Sequence, residues 1–246
     1  MTRLAILAGQ GALPQMIALS HPQAIFVHFA GVAYGDLPEA QRLEASFEKF
    51  GQMFGDLQAA GVTEVVFAGG LARPALNPAR FDAKSTELAP RFMAAMAGGD
   101  DGLLRAVIAA FEEAGFRVRG AHELVPGLTA EAGHLAGPAP SDRDLSDATR
   151  ARAILTALGP LDVGQGAVVA DGQVLGVETA QGTDAMLGFV AQTPDALRHS
   201  AKGVLVKLPK PGQDLRVDMP AIGPATVQRA AEAGLAGIII AAGRCC

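Results

Sequence analysis

The chain is poor in tryptophan, tyrosine and cysteine, and each shortage argues against a class of protein. Its 246 residues include no tryptophan, one tyrosine and two cysteines. Because Cys245 and Cys246 are adjacent, they provide neither a disulfide framework nor a zinc site, and a reducing cytoplasm is the expected location. Scarce aromatic residues and a net charge of −5 argue against nucleic-acid binding, which uses stacking platforms and positive charge.

Long apolar runs and several widespread catalytic motifs are also missing. No run of about 18 apolar residues occurs, so no membrane span is predicted, and the apolar stretch at the start is too short for a secretory signal. No basic amphipathic helix is evident, so membrane contact is expected to be peripheral or substrate-driven at most. The five histidines lack zinc-site spacing, and neither a P-loop nor a GxSxG elbow occurs.

The sequence does contain a recurring arrangement of an amphipathic helix, a glycine and an apolar strand. A glycine just past a helix end adopts the left-handed conformation that turns the chain back towards a sheet. Three such units predict α/β layers with mostly parallel strands, and strands at 4–8 and 24–29 fit the same plan. The three units are helix 47–60 with strand 62–68, helix 103–114 with strand 116–118, and helix 227–233 with strand 235–241.

A stretch rich in glycine, alanine and proline interrupts this rhythm, and we predict a linker at 126–140. It would join an N-terminal Rossmann-like domain of the mononucleotide-binding type, residues 1–125, to a smaller C-terminal α/β domain with a mixed sheet, residues 141–246. The elements predicted for the second domain are a helix at 141–158, a hairpin at 167–177 with a two-residue turn at Asp171-Gly172, a helix from 183 to about 199 and a strand at 203–208.

A loop at 207–224, rich in proline and glycine, carries three cations and two acids, Asp214 and Asp218. The cations are Lys207, Lys210 and Arg216, and Asp218 stands just before Met219-Pro220. Cleavage of a phosphoanhydride needs cations for the phosphates and a carboxylate for a metal or a water molecule. The alternative is an ordinary surface loop between a strand and a helix.

Two glycine loops follow predicted strands of the N-terminal half. Gly9-Gln10-Gly11 precedes a helix, so its bare N–H groups fit either a phosphate contact or a tight structural turn. Pro14 replaces the third glycine of the dinucleotide fingerprint, and no acid follows the second strand, which disfavours NAD. After the strand at 62–68, Arg73 fits either a phosphate clamp or a partner for a loop carboxylate.

Acidic residues stand at predicted helix starts and at a strand end. Asp100 is expected to cap the helix that follows it, which leaves Asp101 for a magnesium or ribose contact or for the helix dipole alone. Thr183 or Asp184 is expected to cap the later helix, and capping alone is the alternative to a site role for Asp184. Glu178 ends a strand, where polar groups often face a cleft. Any metal held by such groups would be Mg²⁺ or Mn²⁺.

Taken together and in order, the loops resemble one family over nearly the whole chain. The segments that carry the resemblance are AGQGALP, FAGGLARP, GDDGLLR, GAHE, LDVGQGAVV, VETAQGTDAML, PKPGQDLRVDMPAIG and AGLAGI. They resemble the UDP-2,3-diacylglucosamine pyrophosphatases of lipid A synthesis, of the type distinct from the metallophosphoesterases. GTDAM and RVD-P-IG are the most specific segments, whereas each glycine loop alone is weak.

The resemblance implies a reaction, a cofactor and an assembly. The reaction would be hydrolysis of the pyrophosphate of UDP-2,3-diacylglucosamine to 2,3-diacylglucosamine 1-phosphate (lipid X) and UMP. The family implies a Mg²⁺ requirement, a homodimer and two domains that enclose the acylated UDP-sugar. The critical acid of its RVD-P motif maps onto Asp218.

From the resemblance and the loops together, we assign Asp218, Asp184 and Lys210 to the chemistry, with Asp218 and Asp184 as metal ligands. Asp101 is the alternative second carboxylate. Two other functions stay open, namely a NAD-linked or other nucleotide-sugar-modifying enzyme and a non-catalytic carrier of an acylated sugar. The expected substrate contacts are Gly9, Gly11, Arg73, Asp101, Gln165, Thr183, Lys207 and Arg216.

Overall fold

The computed structural model describes residues 2–32, 42–71, 75–96 and 99–246. They divide into two compact units. The first runs to Leu128 and includes Arg216–Asp218, and the second comprises Thr129–Leu215 and Met219–Cys246. The division falls within the stretch predicted to be a linker, whose exact extent stays a prediction.

The first unit contains a five-stranded sheet in which every pair of neighbours is parallel. The strand order is β3-β2-β1-β4-β5, so the predicted parallel layer is confirmed. β1 is buried at all five positions, as a central strand covered on both faces should be. The strands are β1 (Leu4–Ala8), β2 (Ile25–Phe29), β3 (Arg42–Ala45), β4 (Glu64–Ala68) and β5 (Arg117–Arg119).

The helices of this unit contribute side chains to two hydrophobic core clusters. The first cluster is rich in phenylalanine, and the rings of Phe54 and Phe111 meet edge to face with centroids 5.0 Å apart. Ile17 of the first helix belongs to the second cluster. The helices are α1 (Leu13–Ser20), α2 (Phe50–Ala59), α3 (Ala83–Met96), α4 (Asp100–Glu113) and α5 (Ala121–Leu124), with a short 3₁₀ helix at Pro78–Arg80.

The second unit contains a mixed four-stranded sheet in the order β7-β6-β8-β9. β6 is antiparallel to both β7 and β8, whereas β8 and β9 are parallel. The predicted hairpin is confirmed, and its turn has φ 49° at Asp171 and φ 74° at Gly172, as a two-residue turn of type I′ requires. The strands are β6 (Gly166–Ala170), β7 (Gln173–Val177), β8 (Val204–Lys207) and β9 (Gly237–Ile240).

One predicted helix of this unit is wrong in its extent. The stretch from 183 to 199 forms two helices rather than one, because Pro194 has no N–H to donate and keeps the preceding residue out of the helical region. The helices are α6 (Asp142–Leu158), α7 (Gly182–Ala191), α8 (Asp195–Arg198) and α9 (Pro224–Glu232), with a short 3₁₀ helix at Gly159–Leu161.

The left-handed glycine predicted to follow a helix is confirmed in all three helix–glycine–strand units. Gly61, Gly115 and Gly234 follow α2, α4 and α9 with φ of 72°, 92° and 69°. Each allows a left-handed turn after the helix, and each is followed by a strand.

Candidate active site

In the first unit, the loops after β1 and β4 are joined backbone to backbone at the carboxyl ends of these strands. Gly9 N–H donates to the Ala68 carbonyl at 2.7 Å, and Gln10 and Gly70 exchange two bonds at 2.8 and 3.0 Å. A Cβ at Gly9 would lie 2.6 Å from the Gly70 oxygen, and one at Gly69 would lie 2.3 Å from the Gln10 oxygen. Both positions therefore require glycine for this close approach.

The start of α1 follows directly from this platform. Gly11 has φ 98°, Ala12 occupies the N-cap position without a side-chain cap, and Pro14 lies in the first turn. A helix start without a side-chain cap leaves backbone N–H groups for water or an anion. The placement of Gly9 and Gly11 therefore suits a phosphate contact, which stays a prediction. Arg73, the other predicted contact in this region, lies outside the described residues.

Asp101 lies in the first turn of α4 and forms an ion pair within that helix. Its Oδ2 accepts from Arg105 Nε at 2.9 Å. Gly99 occupies the N-cap position and Asp100 is the first helical residue, so the prediction of Asp100 as the N-cap is wrong by one residue. The i,i+4 ion pair favours the structural alternative for Asp101, whose role in magnesium or substrate binding stays a prediction.

In the second unit, several predicted site residues meet at one edge of the sheet. β7 and β8 point the same way because each is antiparallel to β6, so their carboxyl ends lie at the edge where β6 begins. Lys207 ends β8 opposite Gly166, and the N–H of Glu178, after β7, donates to the Gly166 carbonyl at 2.7 Å. Gln165 precedes β6 at this edge, and its carbonyl accepts from the Leu208 N–H at 3.0 Å.

Lys207, Thr183 and Glu178 form a chain of polar contacts that is mostly buried. The Lys207 ammonium donates to Thr183 Oγ1 at 2.7 Å, and Thr183 Oγ1 donates to Glu178 Oε1 at 2.5 Å. Lys207 Nζ and Glu178 Oε1 are 3.6 Å apart, with side chains 7% and 10% exposed. Two opposite charges are thus held together out of water, bridged by a hydroxyl group.

Lys210 has a carboxylate partner of its own at the same edge. Its ammonium forms an ion pair with Asp162, a residue in the left-handed region. Its backbone N–H donates to Gln213 Oε1 at 2.7 Å, and Gln213 Nε2 donates to Gln165 Oε1 at 3.2 Å. These bonds connect the loop after β8 to the loop before β6, and they bring Lys210 and Gln165 into one network.

The region around the start of α7 differs from the prediction. Gln181 occupies the N-cap position of α7, and its side chain does not cap the helix, so the prediction that Thr183 or Asp184 caps the helix is wrong. The Thr183 hydroxyl is instead directed to Glu178, and Asp184 Oδ2 lies 3.1 Å from Arg229 Nε with its side chain 56% exposed. Both side chains therefore contact other parts of the chain instead of capping the helix.

Arg216, Val217 and Asp218 belong to the first unit by their contacts. Arg216 Nη1 lies 2.7 Å from Glu112 Oε1, and Val217 packs against the phenylalanine-rich core. Asp218 is half-buried in a segment without regular structure. Arg216, like Lys207 and Lys210, therefore has a carboxylate partner within its own unit.

A metal site made of protein groups alone is not found in the described parts of the chain. No group of three or more His, Cys, Asp or Glu side chains that could hold a metal occurs among the described residues. Mg²⁺, however, commonly binds through one or two carboxylates and completes its shell with water and substrate phosphate oxygens. Asp184, more than half exposed, fits such a contact, and a metal-binding role for Asp218 stays a prediction.

The two cysteines lie near Lys207, which the sequence did not indicate. Burial, together with the neighbouring Cys246, raises the pKa of the Cys245 thiol to about 11, against the opposite effect of the Lys207 ammonium. Burial also raises the pKa of Cys246. The raised pKa values keep both thiols protonated at neutral pH, which disfavours a role as thiolate nucleophiles.

A cleft of about 430 Å³ lies at the opposite edge of the second sheet, near the amino ends of β8 and β9. Its lining includes Thr193, Asp195, Ser200, Lys202, Glu232 and Gly234. Arg198, buried beside it, donates to the Ala233 carbonyl at 2.8 Å and to the Val190 carbonyl. The cleft lies away from Lys207, and its buried arginine donates to backbone carbonyls rather than facing an anion. We therefore do not include it in the candidate site.

Two protein-family models match the chain, one over each half. The model of the LpxI N-terminal domain matches residues 3–128, and that of the LpxI C-terminal domain matches residues 131–246. A relative from Caulobacter vibrioides, named UDP-2,3-diacylglucosamine pyrophosphatase LpxI, is 42% identical over 252 residues, which cover 99% of this chain and 90% of that protein. The chain belongs to the LpxI family. The family predicted from the loop segments is thereby confirmed.

Sequence reasoning missed the partners of the cations in this LpxI-family chain. Glu178 had no assigned role, and the pairing of Lys210 with Asp162 and of Arg216 with Glu112 was not foreseen. One signal was available for Glu178. An acid stands directly after one apolar strand, and a lysine ends another. If the two strands run the same way, these opposite charges lie at the same end of the sheet and can pair.

Proposed function

We propose that this chain hydrolyses the pyrophosphate of UDP-2,3-diacylglucosamine, giving 2,3-diacylglucosamine 1-phosphate and UMP in lipid A synthesis. The observation that carries the proposal is the 42% identity to the named pyrophosphatase, which extends over 99% of this chain. The lysines at the edge of the second sheet and the start of α1 support it further, because both suit an anionic substrate that bears phosphates.

In the proposed reaction, the oxygen of water bonds to one phosphorus of the anhydride. The bond from that phosphorus to the bridging oxygen breaks, this oxygen leaves with the other phosphate, and the proton lost by the water passes to that phosphate or to solvent. Phosphoryl transfer of this kind depends mainly on positioning and on charge neutralisation. Lys207, held by Thr183, and Lys210, held by Asp162, would meet the negative charge of the diphosphate. Asp218 would accept a hydrogen bond from the attacking water and orient it.

Asp218 and Asp184 are the residues that would hold a magnesium ion. The ion, when bound, would neutralise phosphate oxygens and thereby lower the barrier. Asp184 would have to turn from Arg229, and its exposed position allows that movement. Gly9, Gly11, Gln165 and Arg216 are proposed as further substrate contacts, together with Arg73 and Asp101.

The homodimer and the peripheral contact with the cytoplasmic face of the membrane are parts of the same proposal. The homodimer comes from the family resemblance, and the membrane contact comes from the acylated substrate. In the described part of the chain, none of the helices combines the length and apolar character needed to cross a bilayer.

The test is UMP release by the purified protein from UDP-2,3-diacylglucosamine, compared with Asp218→Ala. We expect the wild type to turn over with Mg²⁺ and to stop with excess EDTA, and we expect the variant to lose at least about a hundredfold in kcat. Asp195→Ala, an exposed acid in α8, serves as the matched control and should behave as wild type.

Two results would contradict the proposal. Turnover by Asp218→Ala within about tenfold of wild type, roughly 1.4 kcal/mol of barrier, would remove Asp218 from the chemistry. Retention of the intact nucleotide sugar by the wild-type protein, with no UMP formed in the presence of Mg²⁺, would favour the non-catalytic carrier instead.

A further inference from the structure

We propose that Glu178 is a positioning residue of this site, which fixes Thr183 and Lys207 in one direction of hydrogen bonding. The inference rests on the proposed function, because it concerns how the second unit meets the charge of a diphosphate. Glu178 acts through its neighbours and does not itself touch the substrate.

The direction follows from the donors and acceptors of the three side chains. A carboxylate only accepts, and a threonine hydroxyl has one proton to donate. Thr183 therefore donates to Glu178 Oε1, at 2.5 Å, and must accept from the Lys207 ammonium, at 2.7 Å. Its proton is thus committed to the carboxylate, and the Thr183 hydroxyl does not donate to a phosphate while this bond lasts.

Lys207 is the member of the chain with hydrogens to offer an anion. An ammonium has three. One is donated to Thr183, and the Ala221 carbonyl accepts another in a long bond of 3.4 Å. With Glu178 in place, Lys207 is held at the end of β8 with its charge compensated and its position fixed before the substrate arrives, which is the arrangement that favours charge stabilisation in a transition state.

The burial of Glu178 argues against a merely adventitious ion pair. Glu178 is 8% exposed and Lys207 5%, and Glu178 Oε2 is buried without a hydrogen-bond partner among the described residues. Buried polar atoms without partners are uncommon, because each retains the cost of leaving water. The contacts of Oε1 with Thr183 and Lys207 explain why a carboxylate is buried here although its Oε2 has no partner among the described residues.

Two glycines make room for this carboxylate. A Cβ at Gly166 would lie 2.7 Å from Glu178 Oε2, and one at Gly164 would lie 2.0 Å from the Glu178 carbonyl oxygen. Gly166 is in a strand and has no positive φ, so alanine suits its backbone. Gly166→Ala therefore displaces the end of the Glu178 side chain without removing its charge, which gives a second way to disturb the same contact.

The test measures steady-state UMP release by Glu178→Gln and Gly166→Ala. We expect kcat to fall by at least about tenfold in both, with KM within about threefold of wild type, because misplacing Lys207 affects the transition state more than the bound substrate. Asp147→Asn, another buried carboxylate of this unit, and Gly237→Ala, a strand glycine with open space around its Cβ, are the matched controls. Both should keep the wild-type kcat.

A double-mutant cycle separates positioning from simple structural damage. In a Lys207→Met background, assayed at higher enzyme concentration, adding Glu178→Gln should change kcat by less than about twofold, since the effect of Glu178 passes through Lys207. Independent losses of stability would instead lower the melting temperature without this non-additivity in kcat.

The outcomes are distinguishable from failure of the proposed function. A folded Glu178→Gln protein with kcat within about threefold of wild type, or reductions that multiply in the Lys207→Met background, would overturn the positioning role. If Glu178→Gln does not fold, Gly166→Ala decides by the same criteria. A wild-type protein that releases no UMP would overturn the proposed function and, with it, this inference.

Discussion

Lys207 carries a charge at the end of a strand in which all four residues are buried. A buried ion pair contributes little net stability compared with a well-packed apolar pair, since both charges must leave water. Removing only one partner is strongly destabilising, because the other charge stays buried without compensation. The residues of this site are therefore coupled in stability as well as in the proposed chemistry.

That coupling gives a stability prediction. Lys207→Met should lower the free energy of unfolding by about 3–5 kcal/mol, and adding Glu178→Gln should restore part of the loss because the uncompensated carboxylate is gone. Lys84→Met removes the half-buried partner of the exposed Glu87 and should cost less than about 1 kcal/mol. Urea denaturation of the four proteins measures these differences, and a double variant less stable than Lys207→Met would contradict the pairing.

At the scale of elements, Asp82 connects the starts of two helices of the first unit. Its Oδ1 accepts from Ser85 N–H at 2.7 Å, in the first turn of α3, and its Oδ2 accepts from Gln52 N–H at 3.0 Å, in the first turn of α2. Burial acts to raise the pKa of Asp82, but the bonds from Ser85 and Gln52 outweigh it and hold the pKa below its ordinary value of 3.8.

A dependence of stability on pH follows from that lowered pKa. The contribution of Asp82 is fully present above its unfolded-state pKa and is lost as the pH falls through the lower folded-state value. Asp82→Asn should therefore lower the melting temperature near neutral pH and weaken its decline between about pH 5 and pH 2. Melting curves across that range, for wild type and variant, check this. An unchanged slope in the variant would show that Asp82 does not contribute.

Local patterns predicted most elements, and they failed where a pattern was weak or a proline intervened. β3 was missed because Arg42–Ala45 has one buried residue and no run of apolar ones. α3 was missed because Pro90 lies inside it, and an interior proline normally argues against a helix. Around Pro194 the apolar pattern favours a single helix, whereas the proline separates α7 from α8.

For the molecule as a whole, the sequence predicted which loops carry polar groups but not how those groups pair. Lys210 and Asp162 are 48 residues apart, and the contact between Lys207 and Glu178 depends on β7 and β8 both pairing with β6. Such partners follow from strand direction and register, which no local spacing reveals. The loop at 207–224 also divides its residues between two units, whereas the sequence presented them as one cluster.

The most direct test of the central claim is the reaction of the wild-type protein with UDP-2,3-diacylglucosamine and Mg²⁺ in water enriched in oxygen-18. If the chain hydrolyses the anhydride, mass spectrometry will find UMP and 2,3-diacylglucosamine 1-phosphate in equal amounts, with one labelled oxygen in one of the two products. Intact substrate after prolonged incubation, or products without label, would contradict hydrolysis by this protein.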